Sequence, residues 1–251
     1  MSLARKRQET VLAKLSAGGS LSEEGGFTAA IVTGPAATMA AQMKLRLRHD
    51  LQRLHQIKSI GLKIAAKREM LPEYAAWVAG LLAAAEPAPG DEVLPTIMIW
   101  QIDTGDYEGA LNLAGHVLRH NLALPSRYNR DAPSLIVEEI ATAAIKVQGV
   151  GAEFPLDILE RADELTAGRD MHDEIRAKMA KAIGTEYARL ADEIDPATPA
   201  FAPAAERALG TLRAAHALHD RVGTKDKIRR LERARAKAAP PAAPDTAGTA
   251  G

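Results

Sequence analysis

The chain has 251 residues, no cysteine, 4% aromatic residues and a formal net charge of zero. The lack of cysteine excludes disulfides and cysteine-based zinc sites, and few aromatics beside abundant alanine favour helices over a β-sandwich. The sequence contains neither an apolar run of membrane-spanning length nor the apolar core of a signal peptide. We therefore expect an intracellular protein without membrane contact.

The zero net charge hides a strong asymmetry along the chain. Residues 1–69 carry a net charge of +7, residues 70–210 carry −12, and residues 211–251 carry +5. Basic segments on either side of an acidic body indicate arms that bind a polyanion such as nucleic acid. Alternatively, these cations solvate exposed helices or pair with the acidic body of a neighbouring subunit.

The first two predicted segments are an arm and a helix. Residues 1–39 are rich in glycine and predict a flexible arm, with a short helix over Ser2–Leu15. Residues 40–70 predict one long, basic, amphipathic helix, because apolar positions recur three and four residues apart. These positions are Met43, Leu47, Leu51, Leu54, Ile57, Gly61 and Ile64. The stripe either forms an oligomerisation seam or packs against the body of its own chain, and the helix is also a candidate for DNA contact.

Residues 71–237 predict a helical body that ends in a basic helix, and residues 238–251 predict a disordered tail. A helical hairpin is expected around Asp103–Asp106, where Gly105 allows the turn and Asp106 caps the second helix. Its Gly-Asp-Tyr-x-x-Ala-Leu pattern is partly tetratricopeptide-like, although no second copy follows. Ser134 is the expected N-cap of a later helix. The sequence thus predicts an all-α fold of helical hairpins, preceded by the long basic helix, with disordered termini.

Phosphodiester cleavage usually requires carboxylates that hold divalent metal ions, and two acidic groups are candidates. One group is Asp103, Asp106 and Glu108, and the other is Glu138 with Glu139. Helix capping is the preferred interpretation for both groups, because the first lies in a turn and the second near a helix start.

A pair of histidines is a further candidate. His116 and His120 have the spacing of a metal-binding pair on a helix, but no third ligand is evident, so a surface or helix-end role is preferred. No Gly-x-x-x-x-Gly-Lys-Ser/Thr loop is present, so the sequence predicts no ATPase site.

Ordered sequence blocks over about Ala40–Lys237 resemble the gpM-like small terminase subunits of tailed bacteriophages. The blocks are Lys67–Pro72 with Trp77-Val78 and Gly80, Ile99–Asp106 with Gly109–Leu111, Leu124-Pro125, Glu138-Glu139, Asp173–Lys178, and Lys227–Arg233. The glycine-rich arm before Ala40 and the Ala/Pro-rich tail after Lys237 depart from the family pattern. A DNA-binding role for the extreme tail is therefore not carried over.

The resemblance implies a DNA-packaging terminase that acts in the host cytoplasm. Such a subunit binds and helps cut concatemeric viral DNA at the packaging site, and hands the end to the ATPase large subunit for filling of the capsid. The family is labelled the endonuclease subunit, which implies Mg²⁺ in the cleavage reaction but no cofactor in this chain. The implied partners are double-stranded viral DNA, the large subunit and further copies of the chain. The alternative is a non-catalytic helical scaffold that binds an acidic protein, and no catalytic residue is identified.

The expected DNA contacts are basic residues on or beside the long helix and in a proline-bounded loop. They are Lys58, Lys63, Lys67, Arg68, Arg127 and Arg130. Lysine and arginine at such positions contact phosphates and hold the duplex without reading its bases. No helix-turn-helix signature indicates which helix would enter a groove.

Overall fold

A computed structural model describes residues 3–18, 34–84 and 90–238 of the chain. These residues form eleven α-helices and no strand, which confirms the all-α prediction. The helices are α1 (Leu3–Gly18), α2 (Pro35–Gln56), α3 (Ile60–Met70), α4 (Ala75–Leu82), α5 (Val93–Thr104), α6 (Tyr107–Arg119), α7 (Ala132–Gly149), α8 (Leu156–Leu165), α9 (Asp173–Asp192), α10 (Phe201–Leu218) and α11 (Lys225–Ala238). None of them combines the length and the apolar character that a bilayer-spanning helix needs.

The chain divides into two compact units. The first comprises residues 1–140 and 161–170, and the second comprises residues 141–160 and 171–251. The chain passes between the units three times, within α7, within α8 and between α8 and α9. The predicted segments are bounded by changes of charge and by helix breaks, and the two units do not test them, so they remain predictions. Residues 239–251 of the predicted tail lie outside the described residues.

In the first unit, α1 packs closely against α4. Thr10 on α1 donates a hydrogen bond from Oγ1 to the carbonyl oxygen of Ala76, at 2.9 Å. A Cβ atom at Gly80 would lie 2.2 Å from the Thr10 carbonyl oxygen and 2.5 Å from Ala13 Cβ, so the two helices are in contact only because Gly80 has no side chain. Residues 3–18 of the predicted flexible arm are therefore a packed helix, and residues 19–33 lie outside the described part.

The segment predicted as one long helix is helical, but the structure divides it into α2 and α3. Ile57 and Ser59 have extended backbone angles, and the Ser59 side chain accepts a hydrogen bond from the Leu62 amide at 3.4 Å. A serine that caps a new helix competes with continuation of the previous one, which explains the break.

The apolar stripe of this segment is buried in part. Met43, Leu47 and Leu54 of α2 are buried within the first unit. These three residues therefore pack against the body of their own chain, which is one of the two roles expected for the stripe.

The α5–α6 hairpin forms as predicted. Gly105 adopts the left-handed conformation with φ 84°, and Asp106 Oδ1 accepts from the Gly109 amide at 3.0 Å. Trp100 of α5 is buried and meets Tyr74 edge to face, with ring centroids 5.9 Å apart. The tetratricopeptide likeness of this pair is not confirmed.

One predicted helix cap is wrong. The amide of Ser134 donates to Asp131 Oδ1 at 3.0 Å, so Asp131 rather than Ser134 caps α7. Asp131 lies two residues before Pro133, which occupies the first turn and has no amide to satisfy. The helix consequently begins earlier than predicted.

The second unit is built on the α9–α10 pair. A Cβ atom at Gly184 would lie 2.8 Å from Leu212 Cγ, so this pair also depends on a glycine at the contact. The buried Glu186 carboxylate accepts from Gln148 Nε2 at 2.8 Å and from the Phe154 amide at 3.1 Å. This carboxylate thereby ties the end of α7 and the segment after it to α9.

The Gly80 contact makes a prediction about stability. Gly80→Ala should lower the free energy of unfolding by about 1–3 kcal/mol, because the new methyl group overlaps α1 backbone. The matched control is Gly115→Ala on α6, where no atom lies within 4 Å of the added methyl group. The control should be stabilised by about 1 kcal/mol through helix propensity. Urea denaturation measures both, and equal effects of the two substitutions would refute the close contact.

Candidate nucleic-acid interface

Two of the six predicted DNA-binding residues join helices within the first unit. The Lys67 ammonium group pairs with the Asp103 carboxylate, and Lys67 retains only 16% of its side-chain exposure. Arg68 donates from Nη2 to the carbonyl oxygen of Thr104 at 2.9 Å. Both side chains therefore connect α3 with the end of α5; Lys67 is paired with an acid, whereas Arg68 is exposed and bonds a carbonyl oxygen.

The two arginines of the proline-bounded loop are occupied as well. Arg127 donates to Thr96 Oγ1 at 2.5 Å, and its guanidinium lies over the Tyr128 ring, 5.0 Å from the centroid. Arg130 pairs with the Glu138 carboxylate. The structure thus gives four of the predicted contacts an intramolecular role.

The other two predicted residues, Lys58 and Lys63, have no acidic partner among the described residues. Lys58 is exposed in the link between α2 and α3, and Lys63 is half-buried on α3. Arg48 on α2 is likewise exposed and without an acidic partner in the described part of the chain. Arg48 is not among the predicted site residues, although it lies within the basic run of this helix.

A groove of about 720 Å³ between α2 and the end of α3 contains as many acids as arginines. Its charged residues are Arg46, Arg48, Arg53, Asp50, Glu69 and Glu73. Arg46 pairs with Glu73 at 3.2 Å, and Arg53 pairs with Glu69 at 2.8 Å. The hydrogen bond from Arg53 lowers the pKa of Glu69. Two of the three arginines are thereby neutralised locally, and Arg48 is the one without an acidic partner among the described residues.

Three of the five candidate metal-binding carboxylates have other roles. Asp106 caps α6, Asp103 pairs with Lys67, and Glu138 pairs with Arg130. Within residues 3–18, 34–84 and 90–238, no three histidine, aspartate or glutamate side chains are placed to hold a metal ion together. The preference for capping is confirmed at Asp106.

His116 and His120 lie side by side on α6, with ring centroids 4.4 Å apart. His116 is buried, and burial lowers its pKa, with smaller contributions from His120 and Arg119. The buried ring is therefore largely uncharged near neutral pH. No third ligand completes a site here among the described residues.

The described residues define an all-helical protein in which four of the six predicted DNA-binding cations have partners within the fold, two of them acids. Its family model match is to the phage small terminase subunit, over residues 44–174. The chain is also 39% identical over 197 residues to the "Terminase, endonuclease subunit" of Escherichia phage P2, covering 78% of this chain and 74% of that protein. No solved structure matches the chain significantly.

The chain therefore belongs to the phage small terminase subunit family. This membership confirms the resemblance found in the sequence and assigns the protein to phage DNA packaging. The matched residues run from α2 into α9 and include the α2–α3 segment and the α5–α6 hairpin.

The capping role of Asp106 can be separated from metal binding. Asp106→Ala should lower the free energy of unfolding by about 1 kcal/mol, whereas Asp106→Asn should cost much less because asparagine is also a good N-cap. Thermal unfolding with and without Mg²⁺ measures both effects. If Mg²⁺ raises the Tm of the wild type but not of Asp106→Asn, Asp106 is a metal ligand and not only a cap.

Proposed function

We propose that this subunit binds double-stranded viral DNA at the packaging site, helps to cut it, and hands the end to the ATPase large subunit. The proposal places this work in the host cytoplasm and includes self-association of the subunit. Support comes from family membership and from the printed name of the phage P2 relative, a terminase endonuclease subunit.

The DNA-binding part of the proposal rests on a difference among the cations of the first unit. Some of them have partners within the fold and others do not. Arg48, Lys58 and Lys63 make no side-chain hydrogen bond or ion pair with the described residues, whereas Arg46, Arg53 and Lys67 pair with acids and Arg68 bonds a carbonyl oxygen. A cation that is already neutralised releases few counterions when it meets a phosphate, while an unpaired cation contributes fully. Arg48, Lys58 and Lys63 are therefore the proposed phosphate contacts of this unit.

For the cut itself, we propose that the subunit positions DNA and that cleavage requires the large subunit, with Mg²⁺ serving the reaction. Three of the five candidate carboxylates, Asp103, Asp106 and Glu138, are engaged in a helix cap or an ion pair. A divalent ion at Asp103 or Glu138 would have to displace a lysine or an arginine, which supports placing the metal chemistry outside these residues.

The alternative function is a helical scaffold whose cations bind an acidic protein. Salt dependence distinguishes the two, because neutralisation of DNA phosphates gives a linear fall of log affinity with log salt concentration. A DNA affinity that barely changes with salt would favour the scaffold.

Substitution of the unpaired cations of the first unit tests their role in DNA binding. Arg48→Gln, Lys58→Gln and Lys63→Gln together should lower the slope of log affinity against log salt by about 2.7, close to 0.9 per lost phosphate contact. The matched control removes three paired cations, Arg46, Arg53 and Arg130, and changes the net charge equally. Fluorescence anisotropy on a fixed duplex measures both. Equal slopes for the two variants would remove these residues from the interface.

The division of labour predicts the outcome of a cleavage assay on DNA that contains the cognate packaging site. The purified subunit with Mg²⁺ should leave this DNA intact, and the complex co-purified with the large subunit should cut it. Cutting by the isolated subunit would contradict the proposal and would direct the search to residues outside the described part.

A further inference from the structure

Helix α11 in the second unit carries two kinds of cation. Arg230 pairs with Asp192 of α9 at 2.7 Å, and Arg235 pairs with Glu206 of α10. Together with the buried Leu231, these two pairs hold α11 against the rest of the unit. Their charges are satisfied within the fold.

Four other cations of α11 form a row on the opposite side of the helix from Leu231. They are Lys225, Arg229, Arg233 and Lys237, and all four are exposed. Residues four apart lie on one face, since a helix has about 3.6 residues per turn, and the row extends over about 18 Å at 1.5 Å per residue. We call these four residues the α11 row.

The α11 row has little acidic compensation. Among the described residues, Lys225, Arg233 and Lys237 have no acidic partner. Arg229 lies 3.9 Å from Asp226, a fully exposed carboxylate at the same face, and a contact of that length in water is weak. The row therefore presents a net positive charge to solvent.

The row is unfavourable for the helix that carries it. Like charges four residues apart repel each other, and this arrangement occurs three times in succession along the row. Lys225 also lies in the first turn, where the positive end of the helix dipole disfavours a cation. The stability of the fold does not explain why cations occupy these positions. A ligand that neutralises their charges explains them better.

We propose that the α11 row binds the sugar-phosphate backbone of duplex DNA, giving the second unit its own DNA contact. This inference rests on the proposed function, because it takes packaged DNA as the ligand. The cations repeat about every 6 Å along α11, and duplex DNA carries one negative charge per about 1.7 Å of its axis, so the phosphates are dense enough for each cation of the row to meet one. The contact uses charge and carries no sequence information.

The test compares variants of the full-length protein that lose equal charge. One variant replaces Lys225, Arg229, Arg233 and Lys237 by Gln, and the matched control replaces by Gln four paired arginines that make no contact with α11. The control residues are Arg46, Arg53, Arg130 and Arg207, whose partners are Glu73, Glu69, Glu138 and Glu160. Anisotropy with a fixed duplex is measured over a range of salt concentrations, and circular dichroism checks that each variant is folded.

The α11-row variant should bind at least about tenfold more weakly than wild type at moderate salt, with a salt slope reduced by roughly 3 to 4, while the control loses less than one unit of slope. Two further variants sharpen the result. Exchanging lysine and arginine within the row should keep wild-type affinity, and Asp226→Asn should strengthen binding by removing the carboxylate beside Arg229.

Equal losses in the row variant and the control would overturn the proposal, as would wild-type affinity of the row variant. A row variant that binds DNA normally but no longer co-purifies with the large subunit would assign the row to an acidic protein instead. If this variant has no effect while Arg48→Gln, Lys58→Gln and Lys63→Gln still reduce the slope, the inference fails and the proposed function stands. If wild type itself shows no salt-dependent DNA binding, both fail.

Discussion

Ion pairs between the acidic and basic parts of the chain decide which lysines and arginines are available to a polyanion. Each pair at an exposed position contributes little to stability, but it removes one cation from the surface that DNA could neutralise. In the first unit, three cations are paired in this way: Lys67 with Asp103, Arg53 with Glu69, and Arg46 with Glu73. In the second unit, Asp192 and Glu206 fix α11 through two of its arginines. The cations that we propose as DNA contacts are exposed, except for the half-buried Lys63, and they lie on α2, α3 and α11 or in the α2–α3 link.

The helical framework sets where those remaining cations lie. Two close contacts recur in its construction, one at Gly80 between α4 and α1, and one at Gly184 between α9 and α10. Each brings two helices closer than any other residue would allow. Burial of Trp100, Leu212 and Leu231 then stabilises the helices, and the basic side chains are left at their outer faces. The acidic excess of the middle of the chain thereby supplies partners for some of the cations on α2, α3 and α11.

Local signals in the sequence predicted the local structure well. The helix periodicity, the turn at Gly105 and the cap at Asp106 are confirmed, because each depends on residues within one turn of each other. The break before α3 was missed, since it depends on the Ser59 cap and not on a proline or glycine. The packing of α1 was missed because its contact with Gly80 joins distant segments.

The site could be predicted less fully than the fold. Basic composition correctly directed attention to the α2–α3 segment, but charge alone does not show which cation has a partner. Lys67 pairs with Asp103, which lies 36 residues later in the chain. The spacing of residues along the sequence does not reveal such a pair. On α11 the four-residue spacing of the exposed row is visible in the sequence, whereas the pairing of Arg230 and Arg235 is visible only in three dimensions.

Lysine acetylation footprinting with mass spectrometry tests the central claim that unpaired cations alone meet DNA. Addition of a duplex should protect Lys58, Lys63, Lys225 and Lys237 from the reagent. Lys67, paired and mostly buried, should react slowly whether or not the duplex is present. Protection of Lys67 by DNA, or unchanged reactivity of the other four lysines, would contradict this account of the interface.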